Sequence, residues 1–359
     1  MEGANLGDEA LFLANRMIFD SYELIPDRMR HGNQYSRISV FGGGTVLPDI
    51  SYWVRPNRYN FAFGVGVHDV AFWPEFDSDD LIEKLYEFRF RLLGVRGEMS
   101  RILLRGWGVD AEVIGDPCLI LEPSSLQKKR KDLVVFNILS ARRICVSDDE
   151  RMFRVAVEVC KVLKQKGYTV MLVPFCRDDV TFILEVSEAS GTSVFEQWRN
   201  IQATIDLIAS SHALIGERLH SIIFAASACT PFISIAYAPK CFDFAGTMNS
   251  TEYAIRTNEV STEKVLLKFN NLLENWNELH ATLTKNVETY RQKIRTFAKR
   301  IVNDIDSLPE DKWSTPGLIE NVRWRALQQT DRVLHYKAYR VWRAWHRLRR
   351  RQHFVGYQT

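Results

Sequence analysis

Apolar and polar positions follow two rhythms along most of this chain. Runs dense in Val, Ile, Leu and Phe, such as RISVF, NFAFGVGV, DLVVFNIL, YTVMLVPF, HALIG and PFISIAY, show little polar alternation. Such runs predict strands buried on both faces. Between them apolar residues recur every three or four positions, as in ERMFRVAVEVCKVLKQKG, closed by Gly167, and in IQATIDLIASS and RLHSIIFAASAC. DDLIEKLYEFRFRLLGV repeats Leu81, Leu85, Phe88 and Leu92 at spacings of four, three and four, which predicts a helix through that segment. A single long helix is expected over 262–304, from STEKVLLKF to KRIVNDID. Strands alternating with helices imply parallel sheets covered on both faces, an α/β protein.

Polarity also marks the joints. EPSSLQKKRKD at 122–132 is basic and poor in apolar residues, and SLPEDKWSTPG at 307–317 breaks the helical pattern with two prolines and a glycine. The expected organisation is an α/β domain over 1–124, a second over 125–305 and a linker with a helical tail over 306–359. A cleft should lie between the two domains.

Composition narrows the class. Hydrophobic residues at 46% and charged residues at 25% suit a soluble globular protein, and a net charge of +3 gives no reason to expect a nucleic-acid partner. Glu2, Asp8 and Glu9 stand where a signal peptide needs basic and then apolar residues, and no apolar run reaches membrane-spanning length. The six cysteines lack CxxC spacing and sit in apolar settings, so buried thiols in a reducing cytoplasm are expected, with no metal site.

The candidate chemistry lies where predicted strands turn into predicted helices. In IGERLHSIIFAASACTPFISIAYAPK, Arg218 and His220 follow a strand and open a helix, and Lys240 follows the next strand. That turn lies at the carboxyl edge of an open sheet, where free N–H groups and cationic side chains favour an anion. The plain alternative is an Arg218 paired with Glu217 or another acid and a capping His220. GGGT at 42–45 contains Gly43 and Gly44 and permits a nest of N–H groups, without forming a dinucleotide fingerprint. Asn5 and Asp8 precede or open an evident helix, Asp8 as a candidate cap. Arg96 opens another helix, and Asp116-Pro117 closes a later strand.

In this order, NLGDEA, FGGGTVL, VRGEMS with GDP, and GERLHSIIFAASACTPFISIAYAPK resemble the polysaccharide pyruvyl transferase family, from the first residues to about residue 246. The resemblance implies two Rossmann-like domains facing a cleft, as in glycosyltransferases of the B class. It implies transfer of the enolpyruvyl group of phosphoenolpyruvate onto two hydroxyls of a sugar, forming a cyclic ketal and releasing phosphate, with no cofactor. It assigns Arg96, Arg218, His220 and Lys240 to the donor, with Gly43 and Gly44 beside them. His220, Arg218 and Arg96 are the catalytic candidates, His220 as general acid. Asn5, Asp8 and Asp116 fall on the acceptor side or in structural roles. The helix start should lower the pKa of His220 and a bound phosphate should raise it.

The chain departs from the family pattern at Gly97, where Asp commonly follows the arginine, and at Glu217, usually apolar. The family also has a strand before its N-x-GD motif, whereas only MEGA precedes Asn5. Two other readings keep the fold: a glycosyltransferase using a nucleotide sugar, and a non-catalytic member.

The tail DRVLHYKAYRVWRAWHRLRRRQHF has no acidic residue after Asp331, and Leu334, Ala338, Val341, Trp345 and Leu348 share one helical face. A basic amphipathic helix suits an anionic surface, placing the protein at the inner face of the membrane near a lipid-linked acceptor. The same stripe suits docking onto the chain's own second domain or a twin subunit in a homo-oligomer. Salt-sensitive binding to anionic vesicles, abolished by deleting residues 330–359, is expected; indifference to vesicles at low salt would assign the stripe to a protein contact.

Overall fold

Asn5 opens helix α1 (Leu6–Ile18) because its Oδ1 accepts the Gly7 N–H at 2.9 Å, one of the amides that a helix start leaves unpaired. In this computed structural model the described residues are 5–24, 38–47, 59–67, 90–124, 128–139 and 149–308. The expectations for residues before Asn5, for 79–89 and for the basic tail therefore lie outside the described residues.

Two parallel sheets follow. The first contains β1 (Ile38–Gly42), β2 (Thr45–Leu47), β3 (Tyr59–Val67), β4 (Phe90–Val95) and β5 (Glu112–Val113), in the order β1-β3-β4-β5 with β2 beside β3. Helix α2 (Glu98–Gly106) connects β4 to β5, and a 3-10 turn at Pro117–Ile120 follows. β3 is buried from Asn60 onward, as a central strand covered on both faces must be. Leu92, expected in a helix, lies in β4 opposite Phe61. FRLLGV has neighbours to bond on both sides, β3 and β5, and that pairing outweighs a helical spacing of apolar residues.

The second sheet interleaves β6 (Arg130–Asn137), α3 (Asp149–Gln165), β7 (Thr169–Leu172), α4 (Val180–Ser190), β8 (Ser193–Val194) and α5 (Ile201–Ser210). It continues with β9 (Ser211–Gly216), α6 (Leu219–Ser227), β10 (Phe232–Ala236), α7 (Pro239–Thr247) and β11 (Ala254–Arg256). Its order is β11-β10-β9-β6-β7-β8, every pair parallel.

The expected long helix is two: α8 (Thr262–Glu274) and α9 (Trp276–Asp306). Asn275 ends the first, its Nδ2 donating to the Asn271 carbonyl at 2.9 Å. Trp276 then donates its indole N–H to the His212 carbonyl at 2.8 Å and stacks between the His212 and His280 rings, at 5.0 and 4.8 Å. That anchoring redirects the chain, a constraint invisible in helical periodicity.

The sheets share one apolar core. Leu6, Ala10, Leu11 and Ala14 of α1, Phe63 of β3, Leu214 of β9, Ile222 of α6 and Phe297 of α9 belong to the same buried cluster. Phe63 packs edge-on against Phe19 at 5.1 Å and beside Phe297 at 6.2 Å. Helix α9 also pairs with the first sheet through Arg91–Asp304 and Arg300–Glu112. The 3-10 turn contacts both α1 and α6, and so links the first half to the second.

Candidate functional site

The turn after β9 is organised by Asn137 at the end of β6. Asn137 Oδ1 accepts the Arg218 N–H at 2.9 Å, its carbonyl accepts the Glu217 N–H at 3.0 Å, and its Nδ2 donates to the Val173 carbonyl. Glu217 turns inward, where Oε2 accepts the Leu139 N–H at 2.9 Å. One of its carboxylate oxygens is thereby held by backbone.

Arg218 pairs with Asp179, which lies just before α4 and is fully buried. Nη2 and Nε donate to its two carboxylate oxygens at 2.6 and 3.0 Å, a bidentate fork. Burial works against the charge of Arg218, but the hydrogen bonds and charge of Asp179 outweigh it and raise the guanidinium above its ordinary pKa. The expected pairing with an acid is present, and that acid comes from another strand-to-helix segment.

Arg96 ends β4 and is completely buried. Its Nε donates to Asp116 Oδ2 at 2.9 Å and its Nη2 to the Gly44 carbonyl at 2.9 Å, while Nη1 is buried with no partner among the described residues. Asp116 Oδ1 accepts the Cys118 N–H at 3.0 Å, so both carboxylate oxygens are engaged.

The glycine run holds Arg96. Gly43 and Gly44 take φ values of +83° and +75°, open to glycine at little cost. The Gly43 N–H, expected to face substrate, donates to the Phe63 carbonyl at 2.8 Å. The Gly44 carbonyl accepts from both Gly66 N–H and Arg96. The turn bends back onto β3, and a carbonyl, not an amide nest, points at the guanidinium.

His220 is the second residue of α6. Gly7 packs directly on it: a Cβ there would lie 2.1 Å from Nδ1. Its Nε2 is buried without a partner among the described residues. Burial lowers its pKa to about 4; Asp116 and Asp8 pull it upward, and Arg96 and Lys240 push it further down. The imidazole is therefore neutral near pH 7. Arg96, Asp116, Asp8 and Lys240, from both halves, are thus near enough for their charges to act on this ring. Lys240, one residue into α7, holds its Nζ 4.9 Å from the centre of the Tyr237 ring. Asp8 is exposed in the first turn of α1, where Asn5, not Asp8, is the cap.

Atoms of Asp116, Cys118 and His220 lie within 4.8 Å of one another. The set suits a cation poorly, because Arg96 already occupies the carboxylate and burial pushes the Cys118 thiol well above its ordinary pKa. Sequence reasoning missed Asp179 and Asn137. Asn137 left a faint signal, a polar residue ending the apolar run DLVVFN; Asp179 left none.

Comparison with known proteins agrees with this architecture. The solved structure of S. aureus MnaA with UDP is similar over 87% of this chain and 84% of its own, at 10% identity and a TM-score of 0.53. A structure assigned as a UDP-N-acetylglucosamine 2-epimerase from Listeria monocytogenes is similar over 86% and 81%, at 12% identity and 0.54. These likenesses concern the fold, two Rossmann-like halves in the glycosyltransferase-B manner. The amylovoran biosynthesis protein AmsJ of Erwinia amylovora is 24% identical over 146 residues, 37% of this chain and 35% of that protein, so about a third of the relative is spanned. The family model described as polysaccharide pyruvyl transferase matches residues 5–239, which include Arg96, Asp116, Arg218 and His220. The chain, a transferase, belongs to the polysaccharide pyruvyl transferase family.

Proposed function

We propose that this transferase moves the enolpyruvyl group of phosphoenolpyruvate onto two hydroxyls of a saccharide, giving a cyclic ketal and free phosphate. The observation that carries the reading is a pair of buried nitrogens, Arg96 Nη1 and His220 Nε2, without partners among the described residues, with the charges of Arg96 and Lys240 both felt at His220. Buried donors without acceptors are costly, and a doubly anionic ligand would satisfy them.

Arg96 and Lys240 take up the charge of the donor's carboxylate and phosphate, with Arg218 behind them held in place by Asp179. His220 starts neutral. The bound phosphate raises its pKa, and the protonated ring gives its proton to the methylene carbon, leaving a cation at C2. The first hydroxyl adds at C2 and returns its proton to the ring. The C2–O bond to phosphate then breaks, the second hydroxyl closes the ketal, and its proton leaves with phosphate.

The test is incubation with phosphoenolpyruvate and candidate saccharides, following phosphate release and the mass of the acceptor. Phosphate release matched by a pyruvylated acceptor is expected. Thermal stabilisation by UDP, with no response to phosphoenolpyruvate and no phosphate released, would transfer the assignment to a nucleotide-sugar enzyme.

A further inference from the structure

Gly97 occupies the N-cap position of α2 and offers no side chain to the helix start. The cap comes from elsewhere. Asp243, in α7 of the other half, accepts the Met99 N–H on Oδ1 at 2.9 Å and the Ser100 hydroxyl on Oδ2 at 2.6 Å. Ser100 Oγ in turn accepts the Val67 N–H at 3.1 Å, extending the chain to the end of β3. Both side chains are buried, Ser100 at 1% and Asp243 at 4% exposure. Burial lifts the Asp243 carboxyl above its ordinary pKa against the pull of Ser100, Arg96 and the α2 backbone amides. No other side chain fits: a Cβ on residue 97 would lie 2.1 Å from Asp243 Oδ1.

The positions of these groups matter. Arg96 stands three residues before Met99, and Lys240 stands three residues before Asp243 on α7. One carboxylate thus clasps the helix that follows Arg96 to the helix that carries Lys240. We infer that Asp243 is a positioning residue that sets the spacing of Arg96 and Lys240 between the two halves by capping α2 from the opposite half.

This inference rests on the anion-binding reading of the cleft, and its test separates capping from positioning. Asp243→Ala removes both functions. Asp243→Glu keeps a carboxylate to cap α2 and lengthens the clasp between the halves by one methylene. Asp243→Ala should raise the KM for phosphoenolpyruvate about tenfold with kcat nearly unchanged. It should also speed hydrogen exchange at the first amides of α2. Asp243→Glu should keep slow exchange and share the raised KM. A wild-type KM in Asp243→Glu, or in Asp243→Ala, would reduce Asp243 to a structural cap and overturn the inference.

If Asp243→Ala fails to fold, Ser100→Ala, which removes one of the two bonds, should shift KM in the same direction by about threefold; no shift overturns the inference. Should wild-type protein release no phosphate from phosphoenolpyruvate, the proposed reaction falls. Calorimetric affinity for inorganic phosphate then replaces KM, with the same losses expected and equal affinities overturning the inference.

Discussion

Arg96→Ala is expected to lower kcat/KM for phosphoenolpyruvate by about a thousandfold or more and to destabilise the fold by about 3–5 kcal/mol. Both effects have one origin. Arg96 and Asp116 are fully buried partners, so truncation leaves a carboxylate in the interior without its guanidinium. The same truncation removes the buried Nη1 that has no acceptor among the described residues. Arg96→Lys separates the two. A lysine restores the charge beside Asp116, but its donors radiate from one nitrogen and cannot span Asp116, the Gly44 carbonyl and a ligand as the separated nitrogens of the guanidinium do. It should regain most of the stability and remain about a hundredfold down in kcat/KM. Urea denaturation and steady-state phosphate release measure the two quantities. Full activity in Arg96→Lys would remove the guanidinium fork from donor binding.

His220→Gln should lower kcat by about a hundredfold to ten-thousandfold, the usual worth of a positioned acid–base group, with a smaller change in KM. It should also alter the response to acid. In the fold His220 holds its proton only below about 4, whereas the free side chain takes it up at 6.5. Between those values the unfolded chain binds the proton and the folded chain does not, so stability falls as pH falls from 6.5 toward 4. The effect is on the order of 3 kcal/mol across the window. Asp243 acts in the opposite sense near its own ordinary pKa, because its carboxyl is raised in the fold. The informative quantity is therefore the difference between wild type and His220→Gln, which share Asp243. A variant whose stability declines with acid as steeply as the wild type would show that the ring is not held neutral by burial.

Much of this arrangement is legible in the chain because it is local. A buried strand followed at once by a helix places its turn at the carboxyl edge of a parallel sheet, so Arg218, His220 and Lys240 could be placed near one edge from LIGERLH and SIAYAPK alone. Gly167 as a helix end follows from backbone chemistry within a few residues, whereas the cap of α1 fell on Asn5 and not on the expected Asp8.

What required the fold depends on partners remote in sequence. Leu92 is a strand residue because β3 and β5 flank it, and Asn275 breaks a helix because Trp276 is drawn onto His212. Gly44 turns its carbonyl to an arginine 52 residues away, Arg218 finds its acid 39 residues upstream, and Asp243 caps a helix more than a hundred residues before it. Charge pairing and capping are satisfied by whichever group packing brings within about 3 Å, and sequence separation does not enter that distance. The types of residue at the candidate site were therefore readable from the chain, while their partners, and the neutral state of His220, were decided by burial.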